Sequence, residues 1–435
     1  MKSVLLSRWM PLIGGVLFCS AMFGMALLSS GEGLRQLSVT CNWRLLDSVQ
    51  AWNLHGFWEL GGLLTFRNTR ELVAEFPKYL YKSQSFIYIL PHYFATSVWG
   101  GQAFWVVVRI TTVAFAVLTS VSSMVIAGLV VEERVRPPGM ASWLVPAAMF
   151  SAFAAAAPQE GVWASLWNYD DRALSSVLLS CAAAILASGI RFRRRWMYWI
   201  GSILVVASAL ACPRMGVMIA VVLLIGAKIG MGSGLMSWKL AVATFIASFS
   251  HYIRVLIVDS WGIFVLKGSG PLVRFGYTHE VEDLGQSSLP YGGPLDAFTF
   301  MWRQSQWLID KSLPMRVNVE HFLVYLLAFL GLIMLVFGCK KIRSAYGDVL
   351  FLLIAPGILW SLLINQSVAE HPDIHAIVLS CSFVIGWAML LHRMSIILIN
   401  CFGQSWAYFL SILVPYTLFL WQVQYFLKAY PVLRY

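Results

Sequence analysis

Charge is what this sequence has least of. Only 12% of its 435 residues are Asp, Glu, Lys or Arg, whereas 59% are hydrophobic. A water-soluble domain cannot cover its surface with so few charges, so the composition excludes an ordinary soluble fold. Low-charge stretches of about 17 to 25 residues recur along the chain, which is the length of a helix that crosses a bilayer. The sequence therefore predicts an all-α, polytopic integral membrane protein.

Several motifs are also missing, and each absence argues against a class of function. The seven cysteines form no CxxC or other metal-ligand spacing, so no zinc site is expected. No Gly-rich phosphate loop of the Walker or Rossmann type is found, so we expect no nucleotide-binding fold. The net charge of +11 lies in short basic clusters between apolar stretches, which indicates membrane topology rather than nucleic-acid binding. Without repeats or a polar domain, 1–435 is predicted to be one transmembrane domain.

The apolar stretches predict about eleven transmembrane helices. They lie at 10–30, 103–130, 140–157, 172–190, 196–212, 214–230, 240–265, 319–338, 349–365, 376–392 and 403–427. With a cytoplasmic N-terminus, every strong basic cluster falls on the inside, as the positive-inside rule requires. The outside then receives two long loops, 31–102 and 266–318. Apolar and polar positions alternate at helical spacing over 43–64, so we expect amphipathic helices along the membrane surface in the first loop.

Carboxylates near the outside ends of the spans are the candidate catalytic groups. Asp47 lies early in the first long loop, and Asp170 and Asp171 immediately precede the fourth span. A carboxylate held among aromatic residues at the membrane interface can act as a general base. The alternative is that these acids cap helices or pair with Arg172.

Cations on the same side are candidate substrate ligands. Lys78 and Lys82 flank tyrosines and suit a phosphate at the headgroup level, although they can equally extend toward lipid phosphates. Arg214 lies in a very short outside hairpin, where its fixed charge suits a phosphate or pyrophosphate. The alternative for Arg214 is an ion pair with an acid of the first loop.

A late outside loop adds a third group of ionisable residues. Glu370, His371 and His375 lie immediately before the tenth span and suit a sugar hydroxyl, an anion or a metal. Pro372 argues against the helical His pair of a metal site. We therefore expect substrate contact here, with a solvated connecting turn as the alternative. A divalent metal is compatible with these carboxylates and histidines, but the spacing does not require one.

The order of these features along the chain carries a family resemblance. One span is followed by a long outside loop with an early acid and a late Tyr-Lys-Ser-Gln-Ser-Phe-Ile-Tyr-Ile-Leu-Pro segment over 81–91. Asp170-Asp171, a Pro213-Arg214 hairpin and a late His-containing loop come next. This arrangement resembles the GT-C superfamily of polytopic glycosyltransferases. It looks closest to the bacterial enzymes that add glucose or another sugar to lipopolysaccharide O-antigen.

The resemblance implies an activity and a location. The donor would be a polyprenyl-phosphate-linked sugar, the acceptor a surface glycan, and the active site would face the periplasm from the bacterial inner membrane. It implies Asp47 as catalytic base, with Glu32 and Glu59 as rivals, and Asp170 or Asp171 as the second acid. The superfamily often has adjacent acids soon after the first span, whereas Asp47 stands alone and lies further along the chain.

Two other functions are compatible with the sequence. A surface-polymer ligase or polymerase would rely on Arg214, Arg274 or Arg303 together with a histidine. A transporter or lipid-linked sugar flippase would place charges such as Arg109 and Arg254 in a cavity at mid-membrane, usually with inverted repeats.

Overall fold

The computed structural model describes residues 41–65, 76–134, 171–229, 237–267 and 345–363, together with Cys401. Most of these residues are helical. The helices are α1 (Cys41–His55), α2 (Leu90–Trp99), α3 (Gln102–Arg134), α4 (Asp171–Phe192), α5 (Arg195–Ala211), α6 (Pro213–Ile229), α7 (Trp238–Ser260) and α8 (Ala345–Leu363). Three short strands accompany them: β1 (Leu64–Thr65), β2 (Tyr79–Tyr81) and β3 (Val265–Lys267).

Six of the predicted spans coincide with helices α3 to α8. Two of these, Asp171–Phe192 and Trp238–Ser260, are long and apolar enough to cross a membrane. At 1.5 Å per residue, α4 is about 33 Å long, which matches the thickness of the hydrocarbon core. The predicted spans 10–30, 140–157, 319–338, 376–392 and 403–427 lie outside the described residues. The count of about eleven spans stays a prediction.

The turns between helices α4 and α7 are short, and local sequence explains where each helix begins. Pro213 occupies the first turn of α6, where its missing N–H has no helical partner to lose. Ser237 precedes α7, and its hydroxyl accepts a hydrogen bond from the Leu240 N–H at 3.2 Å. Between α4 and α5, Arg193 adopts a left-handed conformation with φ 51°. These features fold the chain back on itself after each helix.

Small residues let the helices approach closely. Gly216 of α6 lies against Ala209 of α5 and Ser248 of α7. The Ser175 and Ser208 hydroxyl groups are 2.8 Å apart and join α4 to α5. Small side chains and interhelical hydrogen bonds of this kind hold helices together where water supplies no driving force.

The helices alternate in direction, so their polar residues separate into two ends. Arg214 at the start of α6 lies 3.9 Å from Asp171 at the start of α4 and stacks over Trp360 near the end of α8. We call this the site end. The other end of α4 to α7, the basic end, carries Arg191, Arg193, Arg194, Arg195, Lys228 and Lys239. This separation is the one that the charge pattern predicts for an outside and an inside face.

A small mixed sheet at the site end corrects the all-α prediction. β1 pairs antiparallel with β2, and β2 pairs parallel with β3, which follows α7. Helix α7 ends at Ser260 rather than at 265, because the chain turns there into β3. The expected helix over 43–64 is present only as α1. The sheet ties the first long loop to the start of the second.

Candidate functional site

A buried ion pair forms the centre of the candidate site. Asp171 is 0% exposed and Arg214 is 5% exposed, with 3.9 Å between Asp171 Oδ2 and Arg214 Nη2. Among the residues that the structure describes, Arg214 Nε and Nη1 have no hydrogen-bond partner. A buried guanidinium with two unmatched N–H groups is costly unless an anion binds there. The Arg214 side chain also lies over the Trp360 ring, 5.7 Å from its centre, which orients the guanidinium plane.

The segment after β2 supplies polar contacts to this pair. Gln84 donates from Nε2 to Asp171 Oδ1 at 3.5 Å, and the Tyr88 hydroxyl donates to Gln84 Oε1 at 3.0 Å. Because an ionised carboxylate can only accept, Asp171 fixes the amide nitrogen of Gln84 toward itself, which leaves Gln84 Oε1 to accept from Tyr88. The first long loop therefore reaches the carboxylate at the start of α4.

A second buried polar cluster joins the same segment to α7. His251 Nε2 lies 3.0 Å from the Lys82 carbonyl oxygen, and Arg254 Nη2 lies 2.9 Å from His251 Nδ1. A carbonyl can only accept and a guanidinium can only donate, so the His251 proton is on Nε2 and Nδ1 accepts. Arg254 also donates to the Gly62 carbonyl at 3.1 Å and lies over the Phe86 ring. Residues 82–86 thus run between Arg214, which is buried, and Arg254, which is half-buried.

The predicted lysine pair lies on either side of strand β2. Four residues of extended chain span about 13 Å between Lys78 and Lys82. The Lys78 side chain is exposed, while Lys82 is half-buried and its carbonyl binds His251. Contact of these two ammonium groups with a phosphate stays a prediction.

The other predicted residues divide by whether the structure describes them. Asp47 is buried on α1, where the neighbouring Ser48 lies 3.4 Å from the Thr65 hydroxyl of β1. Glu59, a rival base, is exposed. The remaining candidates lie outside the described residues: Glu32, Asp170, Arg274, Arg303, Glu370, His371 and His375. Of the predicted site residues, the structure brings Asp171 and Arg214 together.

Sequence reasoning missed three contributors to the site: Gln84, Tyr88 and His251. The first two lie within the 81–91 segment that carried the family resemblance, but an uncharged Gln and a Tyr gave no separate signal. His251 lies inside the predicted span 240–265, where its position alone indicated no function. It contacts the backbone carbonyl of Lys82, 169 positions away in the sequence. A local sequence pattern cannot indicate such a contact.

Chemically, the described part of the site combines a carboxylate, a cation with free donors and an aromatic ring. Within the same described residues, no group of three His, Cys, Asp or Glu side chains is arranged to hold a metal ion. The arrangement can bind an anionic group beside a carboxylate that accepts a proton. No protein-family model matches the chain, and no curated protein matches it either.

Proposed function

We propose that this chain is a multi-span membrane glycosyltransferase of the bacterial inner membrane. It moves glucose or another hexose from a polyprenyl-phosphate donor to lipopolysaccharide O-antigen or a related surface glycan, on the periplasmic side. The observation that carries the proposal is the buried Asp171–Arg214 pair, whose guanidinium keeps two N–H groups without a hydrogen-bond partner in the described part of the chain. The pair lies at the end of the helices opposite the exposed arginines.

The outward surfaces of the helices support an environment of lipid. Trp199 on α5, Ile246 on α7 and Leu256 on α7 are 73%, 62% and 64% exposed. Soluble proteins rarely expose long apolar faces, because each costs hydrophobic free energy in water. A bilayer around α4 to α7 removes that cost, and it places the site end at one membrane surface.

The chemistry requires few groups from the protein. An acceptor hydroxyl attacks the anomeric carbon, the bond from that carbon to the phosphate oxygen breaks, and polyprenyl phosphate leaves with the electron pair. A carboxylate takes the hydroxyl proton, and configuration inverts. Arg214 binds the phosphate and stabilises its growing charge. Asp171 orients Arg214, and Asp47 is the candidate base, with Asp170, Glu32 and Glu59 as its rivals.

Sugar transfer by single-site variants tests this proposal. The donor is a polyprenyl-phosphate sugar, the acceptor is surface glycan, and membrane abundance of each variant is measured in parallel. We expect Asp171→Asn to lower the transfer rate on the order of a hundredfold, and Arg214→Gln to weaken donor binding. Of Asp47→Asn and Asp170→Asn, the variant that loses transfer identifies the base. The matched control is Asp259→Asn, at an exposed carboxylate, which should retain activity. Full activity in all of the Asp47, Asp170 and Asp171 variants would refute the mechanism.

A surface-polymer ligase is the second candidate, because His251 contacts the segment that also reaches Asp171: its Nε2 lies 3.0 Å from the Lys82 carbonyl oxygen, two residues before Gln84. Such an enzyme needs a histidine nitrogen that is free to take a proton. Both ring nitrogens of His251 are engaged by Arg254 and by the Lys82 carbonyl, which favours the glycosyltransferase. A lipid-pyrophosphate-linked oligosaccharide offered as donor separates the two functions: the ligase uses it, and the proposed enzyme does not.

A lipid-linked sugar flippase is supported less well. It would direct Arg254 into a cavity at mid-membrane, but Arg254 contacts the loop residues Gly62 and Phe86 near the end of α7. Vesicles that contain the protein and a labelled lipid donor separate the two activities. The proposed enzyme transfers the sugar without moving the lipid donor across the vesicle bilayer, whereas a flippase moves the donor.

A further inference from the structure

The basic end carries three adjacent exposed arginines that the proposed reaction does not use. Arg193 and Arg194 connect α4 to α5, and Arg195 begins α5; together these three residues are here called the arginine turn. The sequence from Arg172 to Val258 contains no Asp or Glu. Neither the α4–α5 hairpin nor the α6–α7 hairpin therefore supplies a carboxylate to these charges. At the start of α8, Asp348 is fully buried.

The backbone of the arginine turn is strained and fixed. Arg193 has φ 51°, a left-handed conformation that costs a residue with a Cβ about 1 kcal/mol and is usually occupied by glycine. The Arg194 N–H closes the turn by donating to the Gly189 carbonyl at 3.1 Å. A Cβ at position 189 would lie 3.1 Å from Met197 Cβ, so the two helices meet tightly here. Arginine occupies a position where glycine would relieve strain.

Aromatic side chains flank the turn at the level expected for lipid headgroups. Phe192 and Trp196 are more than half exposed, and Trp199 lies one turn further along α5 on the same face. Trp238 begins α7 at this same end and is also exposed. Tryptophan beside arginine is the side-chain combination that membrane proteins place at the boundary between acyl chains and headgroups.

We propose that the arginine turn is a binding site for the headgroup of an anionic phospholipid. Guanidinium groups bind a phosphodiester through paired N–H donors, and the N-terminal amides of α5 favour the same negative charge. Since the Arg194 hydrogen bond already holds the backbone of the turn, binding orders mainly the arginine side chains. The proposal depends on the membrane embedding described under the proposed function, but not on sugar transfer.

Lipid titration of the purified full-length protein tests this site. Native mass spectrometry from a neutral detergent counts bound phosphatidylglycerol, with phosphatidylcholine as the uncharged comparison. We expect preferential binding of phosphatidylglycerol, and Arg193→Gln/Arg194→Gln should weaken that binding roughly tenfold. The control is Lys228→Gln/Lys239→Gln, which removes the same charge from the same end and should retain the preference.

Arg193→Gly separates binding from folding. Glycine suits the left-handed conformation, so this variant should unfold at a higher temperature in phosphatidylcholine and yet bind phosphatidylglycerol more weakly. Arg195→Gln, in the exposed first turn of α5, should also bind phosphatidylglycerol more weakly. Inorganic phosphate at millimolar concentration should not displace the lipid.

Three results would overturn the proposal. The first is equal binding of the two phospholipids by the wild-type protein. The second is an equal loss of binding in the arginine and lysine double variants, because that would show general attraction of lipid to the basic end. The third is displacement of phosphatidylglycerol by inorganic phosphate, which would show a site for a free anion rather than a lipid.

Discussion

At the scale of single residues, His92 links the stability of the first loop to pH. It lies on α2, is fully buried, and packs against the Phe104 ring of α3. Burial lowers the pKa of His92 to about 3, and a backbone hydrogen bond with Tyr88 opposes that shift only in part. The neutral imidazole is therefore the form that the fold accepts.

The sign of the pH effect follows from this lowered pKa. The unfolded chain binds a proton near pH 6.5, and the folded one only near pH 3. The stabilisation is complete above pH 6.5 and is lost as the pH falls toward 3. At pH 4.5 we expect the free energy of unfolding to have dropped by about 2 to 3 kcal/mol because of this residue.

Denaturation in detergent at pH 7 and pH 4.5 measures this effect. His92→Gln should flatten the difference between the two pH values, while His55→Gln, at the end of α1, should leave it unchanged. If His92→Gln and the wild-type protein lose equal stability on acidification, then His92 is not the linked group.

At the scale of helices, Gly216 sets the distance between three of them. A Cβ at this position would lie 2.6 Å from Ala209 Cβ and 2.8 Å from Ala209 Cα, and it would also overlap the Ser248 hydroxyl. The serine can rotate, but the α5 backbone at Ala209 cannot move without separating the helices.

Gly216→Ala should therefore destabilise the protein by about 1 to 3 kcal/mol. The matched control is Gly101→Ala, immediately before α3, where nothing lies within 4 Å of the added methyl group. Thermal unfolding in detergent compares the two variants. Equal melting temperatures would mean that α5, α6 and α7 do not approach as closely as described.

Helices α3 to α8 could be predicted because each carries its own signal. An apolar stretch of about 20 residues indicates a transmembrane helix, whichever residues pack against it. The strands carry no such signal, since β1 and β2 have only two and three residues. Period-two alternation needs at least four residues to be recognised. Strand β3, which pairs with β2, also belongs to another loop and follows helices α2 to α7 in the sequence.

The candidate site was predictable only in part for the same reason. Asp171 and Arg214 stand out as charges beside apolar helices, and charges are rare in this chain. Gln84 and Tyr88 become functional candidates only through their contacts with each other and with Asp171. The extended conformation of Tyr79–Tyr81, which separates the two lysines, depends on pairing with β3 and has no signal in the segment itself.

At the scale of the whole molecule, the separation of polar residues into two ends can be tested directly. The site end includes the first loop, where Trp58 is 80% exposed, and the basic end includes the exposed Arg194. Helix α4 spans about 33 Å between these ends. If lipid surrounds the helices, then the two positions lie on opposite sides of the bilayer.

Labelling of single introduced cysteines in intact cells distinguishes the sides. A membrane-impermeant maleimide should react with Trp58→Cys in spheroplasts and with Arg194→Cys only after the membrane is opened, each measured above the background of the wild-type cysteines. Cys181 is half-buried and Cys212 is buried, so they contribute little to that background, whereas the exposed Cys401 contributes to it and is replaced by serine in both variants. Reaction of both introduced cysteines in sealed spheroplasts would place the two ends on one side. That result would contradict both proposals, because the sugar-transfer site and the inner-leaflet lipid site each require the bilayer to lie between Asp171 and the arginine turn.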